Sequence, residues 1–188
     1  MCYIFDSMTR PVTLLLPGLH PVHNARPHTF RAWAAQDQRA CVVEQHDWAR
    51  PLRGDWLMQL DTAVLQADDG LVLVAEGLGC WLVAAWAQVS SHTERVSSAL
   101  LINPLELNTP ELQTRLPSWQ RIPVQPLPFA ALVVGQEHSN DNHHAMLLAQ
   151  GWHAPYLASA LTPRADNTYD IAQLAALCDT LKEETHGH

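Results

Sequence analysis

The sequence predicts one three-layer α/β domain over residues 1–188, with about six parallel strands flanked by helices. Short apolar runs alternate with helix-length stretches along the whole chain, the pattern of repeated strand–helix units with right-handed crossovers. The run "LVLVA" (71–75) is apolar on both faces, which suits a parallel strand covered by helices on both sides. Composition agrees: 188 residues, 47% hydrophobic and 16% charged, describe a globular chain with room for one sizeable core.

Taken in order, "VTLLL" (12–16) is a buried strand stopped by Pro17-Gly18, and a loop rich in Pro and His follows. "HTFRAWAAQDQ" (28–38) begins a helix after Pro27, and "CVVEQ" (41–45) is the second strand. "GDWLMQLDTAVLQA" (54–67) spaces Trp56, Leu57, Leu60, Val64 and Leu65 as a helix face, with Asp55 at its acidic start. "LVLVA" leads into the helix "LGCWLVAAWAQV" (78–89), and "VSSALLINP" (96–104) is a fourth strand ended by Pro104. Five of the thirteen prolines fall within 105–128, a long connection with a turn of helix near 110–116. "FAALVVG" (129–135), the helix "NHHAMLLAQGW" (142–152), the strand "APYLAS" (154–159) and the amphipathic helix "YDIAQLAALCDTLKEE" (169–184) complete the domain. No internal repeat or domain boundary is visible.

A net charge of −8 with eleven Lys and Arg argues against nucleic acid or an anionic membrane as a main partner, since both need a basic footprint. No run reaches the roughly 18 apolar residues of a membrane span, and the start lacks a basic leader segment. Cys2, Cys41, Cys80 and Cys178 match neither a zinc pattern nor a Cys-x-x-Cys pair. Reduced, buried thiols in a cytoplasmic protein are therefore expected. No cofactor is expected.

In parallel sheets ligands sit outside the carboxyl ends of the strands. The loops there are 17–27, 75–79, 103–128, 135–141 and 160–168. Among them, Ala75-Glu76-Gly77-Leu78-Gly79 is a sharp strand-to-helix turn. In a serine hydrolase the middle residue of such a turn carries the attacking hydroxyl. Here it is Gly77, without a side chain.

Four stretches together, "LLPGLHPVHNARPHTFRAW" (15–33), "VVEQHDWARPLRGDWLMQLD" (42–61), "LVLVAEGLGCWLVAAWA" (71–87) and "LVVGQEH...AMLLAQGWHA" (132–154), resemble the small α/β-hydrolases of the retinoblastoma-binding-protein-9 type. The resemblance covers most of the chain, and "VEQHDW" followed by Pro and Trp is its most specific part. It implies a compact α/β-hydrolase-like fold and, in active relatives, a Ser–His–Asp site. Their elbow reads Gly-His-Ser-Leu-Gly. The departures here are three. Gly77 stands at the nucleophile position. The acid loop "GQEHSNDNHH" is short and lacks the family's proline, with Glu137 as its nearest acid and Asp141 as second choice. The segment "LTPRADNTYD", where relatives carry Gly-His, contains no histidine. The N–H groups of Leu19 and Leu78 remain as oxyanion-type donors.

Rescue chemistries are weighed against plainer roles. Cys80, three residues past the elbow, points away from the apex and reads as a packed thiol. Glu76 is a hydrogen-bonded acid or, alternatively, a pocket acid that binds a cation or serves as a base. His20, His23 and His28 on one loop, and His138, His143 and His144 on another, match no metal signature, so no metal is assigned. Trp119 either packs or lines a pocket or interface.

Catalytic residues are therefore not assigned. The expected pocket is Leu19, Glu76, Gly77, Leu78, Glu137, His138 and Asp141, beside the 105–128 connection. The expected function is a binding or regulatory pseudo-hydrolase whose partner is a small molecule or a protein. Two alternatives stand beside it. One is a weak or non-serine hydrolase of small esters or amides. The other is a protein-interaction module, with a homodimer through Trp119 left open.

Overall fold

The computed structural model describes residues 12–18, 28–136, 142–159, 161 and 168–186. Six strands, β1 (Thr13–Leu16), β2 (Ala40–Val42), β3 (Leu71–Glu76), β4 (Val96–Ile102), β5 (Ala130–Gln136) and β6 (Tyr156–Ser159), form one sheet in the order β2-β1-β3-β4-β5-β6. Every pairing is parallel. Among the described residues the α-helices are α1 (His28–Gln36), α2 (Arg53–Gln66), α3 (Leu78–Ala87), α4 (Pro110–Arg115), α5 (Asn142–Trp152) and α6 (Ile171–His186).

Alternation along the strands sorts the core into two halves. Leu14, Leu16, Leu73, Ala75, Leu101 and Val133 face a layer built by α2, α3 and α5, with Trp56, Leu60, Trp86 and Trp152 buried in it. Leu15, Val72, Val74, Leu100, Ile102 and Val134 face the opposite layer, where Phe30 and Trp33 of α1 meet Leu174, Cys178 and Leu181 of α6. Both faces of the sheet are thus covered, which is why β3 reads as an unbroken apolar run. The helix α3 is buried from Leu78 to Trp86, consistent with its lack of charged residues.

Aromatic packing fixes the long connection after β4. Trp119 is fully buried, donates from Nε1 to Pro51 O at 2.9 Å, and meets Trp56 edge-on at 5.4 Å between ring centroids. Trp48 packs on the other side of Trp56 at 5.3 Å. Trp119 is therefore a core residue, and the idea that it forms an interface is corrected. Its indole needs both an apolar bed and a carbonyl, and Pro51 supplies the carbonyl only from inside the fold.

Other expectations are also revised. The strand expected over 41–45 runs from Ala40 to Val42, at the edge of the sheet, where among the described residues β1 is its one strand neighbour. Leu65 is 46% exposed, while Ala63 takes a buried place on α2. Short 3-10 turns at Thr93–Arg95 and Pro117–Trp119 add to the expected elements. Cys80 and Cys178 are free and buried, but Cys41 is disulfide-bonded. Cys41 lies half-buried on β2. The disulfide removes the thiol argument for a reducing compartment. Among the described residues no helix is long and apolar enough to cross a membrane.

Candidate functional site

The chain enters the sheet at β1, steps to β2 on one side, then to β3 on the other. The winding direction reverses between β1 and β3, and the crevice at such a reversal is where open α/β sheets bind ligands. Two glycines let the backbones close there. A Cβ on Gly18 would overlap the Glu76 carbonyl oxygen and stand 2.8 Å from Leu78 N. A Cβ on Gly79 would overlap the Leu16 carbonyl oxygen.

Between them lies the elbow. Gly77 has φ 55° and ψ −113°, a conformation that costs a residue with a side chain about 1–3 kcal/mol. Backbone hydrogen bonds pin it. Gly77 N–H donates to Ile102 O at 3.0 Å, and Gly77 O accepts from Leu105 N at 3.2 Å and Cys80 N at 3.3 Å. Leu78 opens α3, so its N–H is one of the donors that a helix start leaves without an intrahelical partner. The result is a tight strand–glycine–helix turn held by backbone hydrogen bonds.

Side chains at the elbow form a polar chain. Asn103, one residue beyond β4, has the left-handed φ of 45° that Asn tolerates, and donates from Nδ2 to Tyr169 Oη at 3.0 Å. Tyr169 Oη donates to Glu76 Oε1 at 3.1 Å, and Tyr169 N–H is held by Thr29 Oγ1 at 2.8 Å. Glu76 follows Val74 on the face toward α1 and α6, which is why it meets Tyr169 just before α6. Burial raises the Glu76 carboxyl above its ordinary value, and the Tyr169 hydrogen bond only partly offsets this. Burial, followed by the Glu76 charge, pushes the Tyr169 phenol upward.

Cys80 lies on the other side of the strand. Its Sγ is buried and donates to Ala75 O and Ile102 O, each at 3.5 Å. Burial and then the Glu76 charge raise the thiol well above its usual range, the reverse of what a nucleophile needs.

The family profile for "Serine hydrolase" matches residues 13–162, most of the chain. The chain belongs to the serine hydrolase family. No curated relative matches it at the sequence level. Among solved structures, this serine-hydrolase-family fold is similar to the ydeN gene product from B. subtilis, with a TM-score of 0.65 and 15% identity over 94% of this chain and 98% of that one. A YdeN-like hydrolase from Pectobacterium atrosepticum gives the same score and identity over 92% of each chain. Est1E from Butyrivibrio proteoclasticus follows with a TM-score of 0.60 and 12% identity, covering 97% of this chain and 91% of that one. At such identities the likeness establishes the α/β-hydrolase fold alone.

Of the site residues expected from the sequence, the structure brings Glu76, Gly77 and Leu78 together at the turn. Leu19, Glu137, His138 and Asp141 lie outside the described residues, as do His20 and His23. Among the described residues no group of three His, Cys, Asp or Glu side chains comes together as a metal site would require. Sequence reasoning misses Asn103 and Tyr169. The available signals are modest: an Asn-Pro pair at a strand's carboxyl end, and a tyrosine closing the segment where relatives carry histidine.

Proposed function

We propose that this chain is a pseudo-hydrolase of the retinoblastoma-binding-protein-9 type, a scaffold of the serine hydrolase family used for binding rather than serine catalysis. One observation carries the reading: the apex of an otherwise intact elbow is Gly77, which has no hydroxyl to attack a carbonyl. Two further observations support it. Cys80, the nearest thiol in sequence, donates to backbone carbonyls and is buried. Ser90, His92 and Asp61 do cluster, but past the far end of α3, about 15 Å of helix away from the apex. There Ser90 Oγ donates to Asp61 at 2.7 Å, and the carboxylate, not the imidazole, stands in the middle. A base that should take the hydroxyl proton is not positioned to do so.

The ligand is a small molecule held at the crevice between β1 and β3, or a protein segment reaching into it. A fluorophosphonate probe separates this reading from serine catalysis: the purified protein should remain unlabelled, and labelling at one serine defeats the proposal. An ester panel run on the native protein and on Glu76→Gln tests hydrolysis by a Glu-activated water. Equal background rates are expected. Turnover that collapses in the variant would establish a relocated hydrolase instead.

A further inference from the structure

The polar chain at the elbow has a direction, and the direction specifies a ligand. A phenol has one proton, and Tyr169 places it on Glu76 Oε1 at 3.1 Å. The contact between Asn103 and Tyr169 at 3.0 Å must then be donated by the amide NH2, which leaves Asn103 Oδ1 as an acceptor. At the other end Glu76 keeps its remaining carboxylate lone pairs. Glu76 thus presents acceptors only, and Asn103 presents its Oδ1 acceptor beside its second amide N–H. Tyr169, in the middle, is only 5% exposed, whereas Glu76 and Asn103 are each partly exposed.

Nothing described in the chain answers this demand. None of the ion pairs among the described residues involves Glu76. Glu76 pairs with Ile102 across β3 and β4, so Asn103 is the next residue beyond its strand neighbour. Both end residues meet one phenol oxygen, Asn103 Nδ2 at 3.0 Å and Glu76 Oε1 at 3.1 Å. Gly77 adjoins them and contributes no side chain to the space.

We propose that Glu76 and Asn103 together bind a small organic primary ammonium ion beside Gly77. An ammonium group brings three N–H donors and no acceptor, which suits a carboxylate and an amide oxygen. Its charge compensates a carboxylate held in a half-buried setting. The inference rests on the reading of the elbow as a binding site, and it names the class of ligand.

The experiment is a calorimetric titration of the full chain with n-butylammonium. Tetramethylammonium (a cation without N–H donors) and 1-butanol (the same alkyl chain without charge) are the controls. Butylammonium should bind saturably and roughly tenfold or more tightly than either control. The Glu76→Gln variant should lose roughly tenfold or more of that affinity. Affinity in the native protein should also fall as the pH is lowered and Glu76 takes up a proton. No saturable binding, equal binding of butanol or tetramethylammonium, or unchanged affinity in Glu76→Gln would overturn the proposal. If Glu76→Gln does not fold, the two controls and the pH series on the native protein decide. Failure here in a protein that resists fluorophosphonate removes only the ligand class. Fluorophosphonate labelling removes the pseudo-hydrolase reading, whatever the amine titration gives.

Discussion

Replacing Gly79 with alanine is the sharpest test of how the elbow is assembled. The added methyl would overlap the Leu16 carbonyl oxygen, with the Leu16 carbonyl carbon at 3.2 Å and Leu16 Cβ at 3.4 Å. These atoms belong to β1, which is hydrogen-bonded between β2 and β3 and cannot swing aside as a surface side chain can. Overpacking of this kind costs about 1–3 kcal/mol, and more where backbone must move. The intrinsic preference of a helix for Ala over Gly returns about 0.5–1 kcal/mol. A net loss of about 2 kcal/mol is expected. For a domain of this size that lowers Tm by about 4–8 °C. Gly54 provides the control, because a Cβ there meets nothing within 4 Å near the start of α2. Gly54→Ala should raise stability by about 0.4–1 kcal/mol. Urea unfolding followed by circular dichroism reads both, provided the slope with denaturant is unchanged. If Gly79→Ala stays within about 0.5 kcal/mol of the native protein, a range typical of surface substitutions, the close β1–α3 approach does not hold the turn.

Other expectations follow from the same structure. Trp119→Ala removes a fully buried indole and its bond to Pro51 O, and should cost about 3–5 kcal/mol in denaturant unfolding. The Glu76 carboxyl is raised above 4.5 by burial, so its contribution to stability is fully present below 4.5 and is lost as pH rises through the folded value. Glu76→Gln should therefore gain on the native protein as pH rises through that range, read by melting temperature in a pH series. Asp61 behaves oppositely. Burial opposes its charge, but hydrogen bonds from Ser90, Trp86 and His92 outweigh this and hold its carboxyl below 3.8. Its contribution is present above 3.8 and is lost as pH falls through the lower folded value, a loss that Asp61→Asn should abolish. Cys80 should resist iodoacetamide in the native state and react once the chain is unfolded, as mapped by mass spectrometry.

Most of the fold is legible in the sequence because helix and strand periods are imposed by burial. The runs 12–16, 71–75, 96–104 and 129–135 each contain or meet a strand of the sheet. Edges are harder. β2 stops at Val42 although "CVVEQ" continues, because pairing depends on a neighbour the sequence does not display. Leu65 shows the same limit on a helix, since a spacing near the correct period does not say which side of the stripe the layer covers. At the site, the turn through Gly77 is legible because its chemistry is local: a strand, one glycine and a helix. The partnership of Glu76 with Tyr169 and Asn103 is not, because it joins residues 93 and 66 positions apart through the crossovers of the sheet.

The three backbone bonds that hold Gly77 have a consequence for how such a chain can change. The bend is maintained by amides and carbonyls of neighbouring segments, and so its shape is independent of whatever group residue 77 carries. A hydroxyl-bearing residue in that contorted posture would be a standing burden of about 1–3 kcal/mol, from which glycine is exempt. Glycine at the apex thus keeps the bend free of a strain that any side chain there would bring.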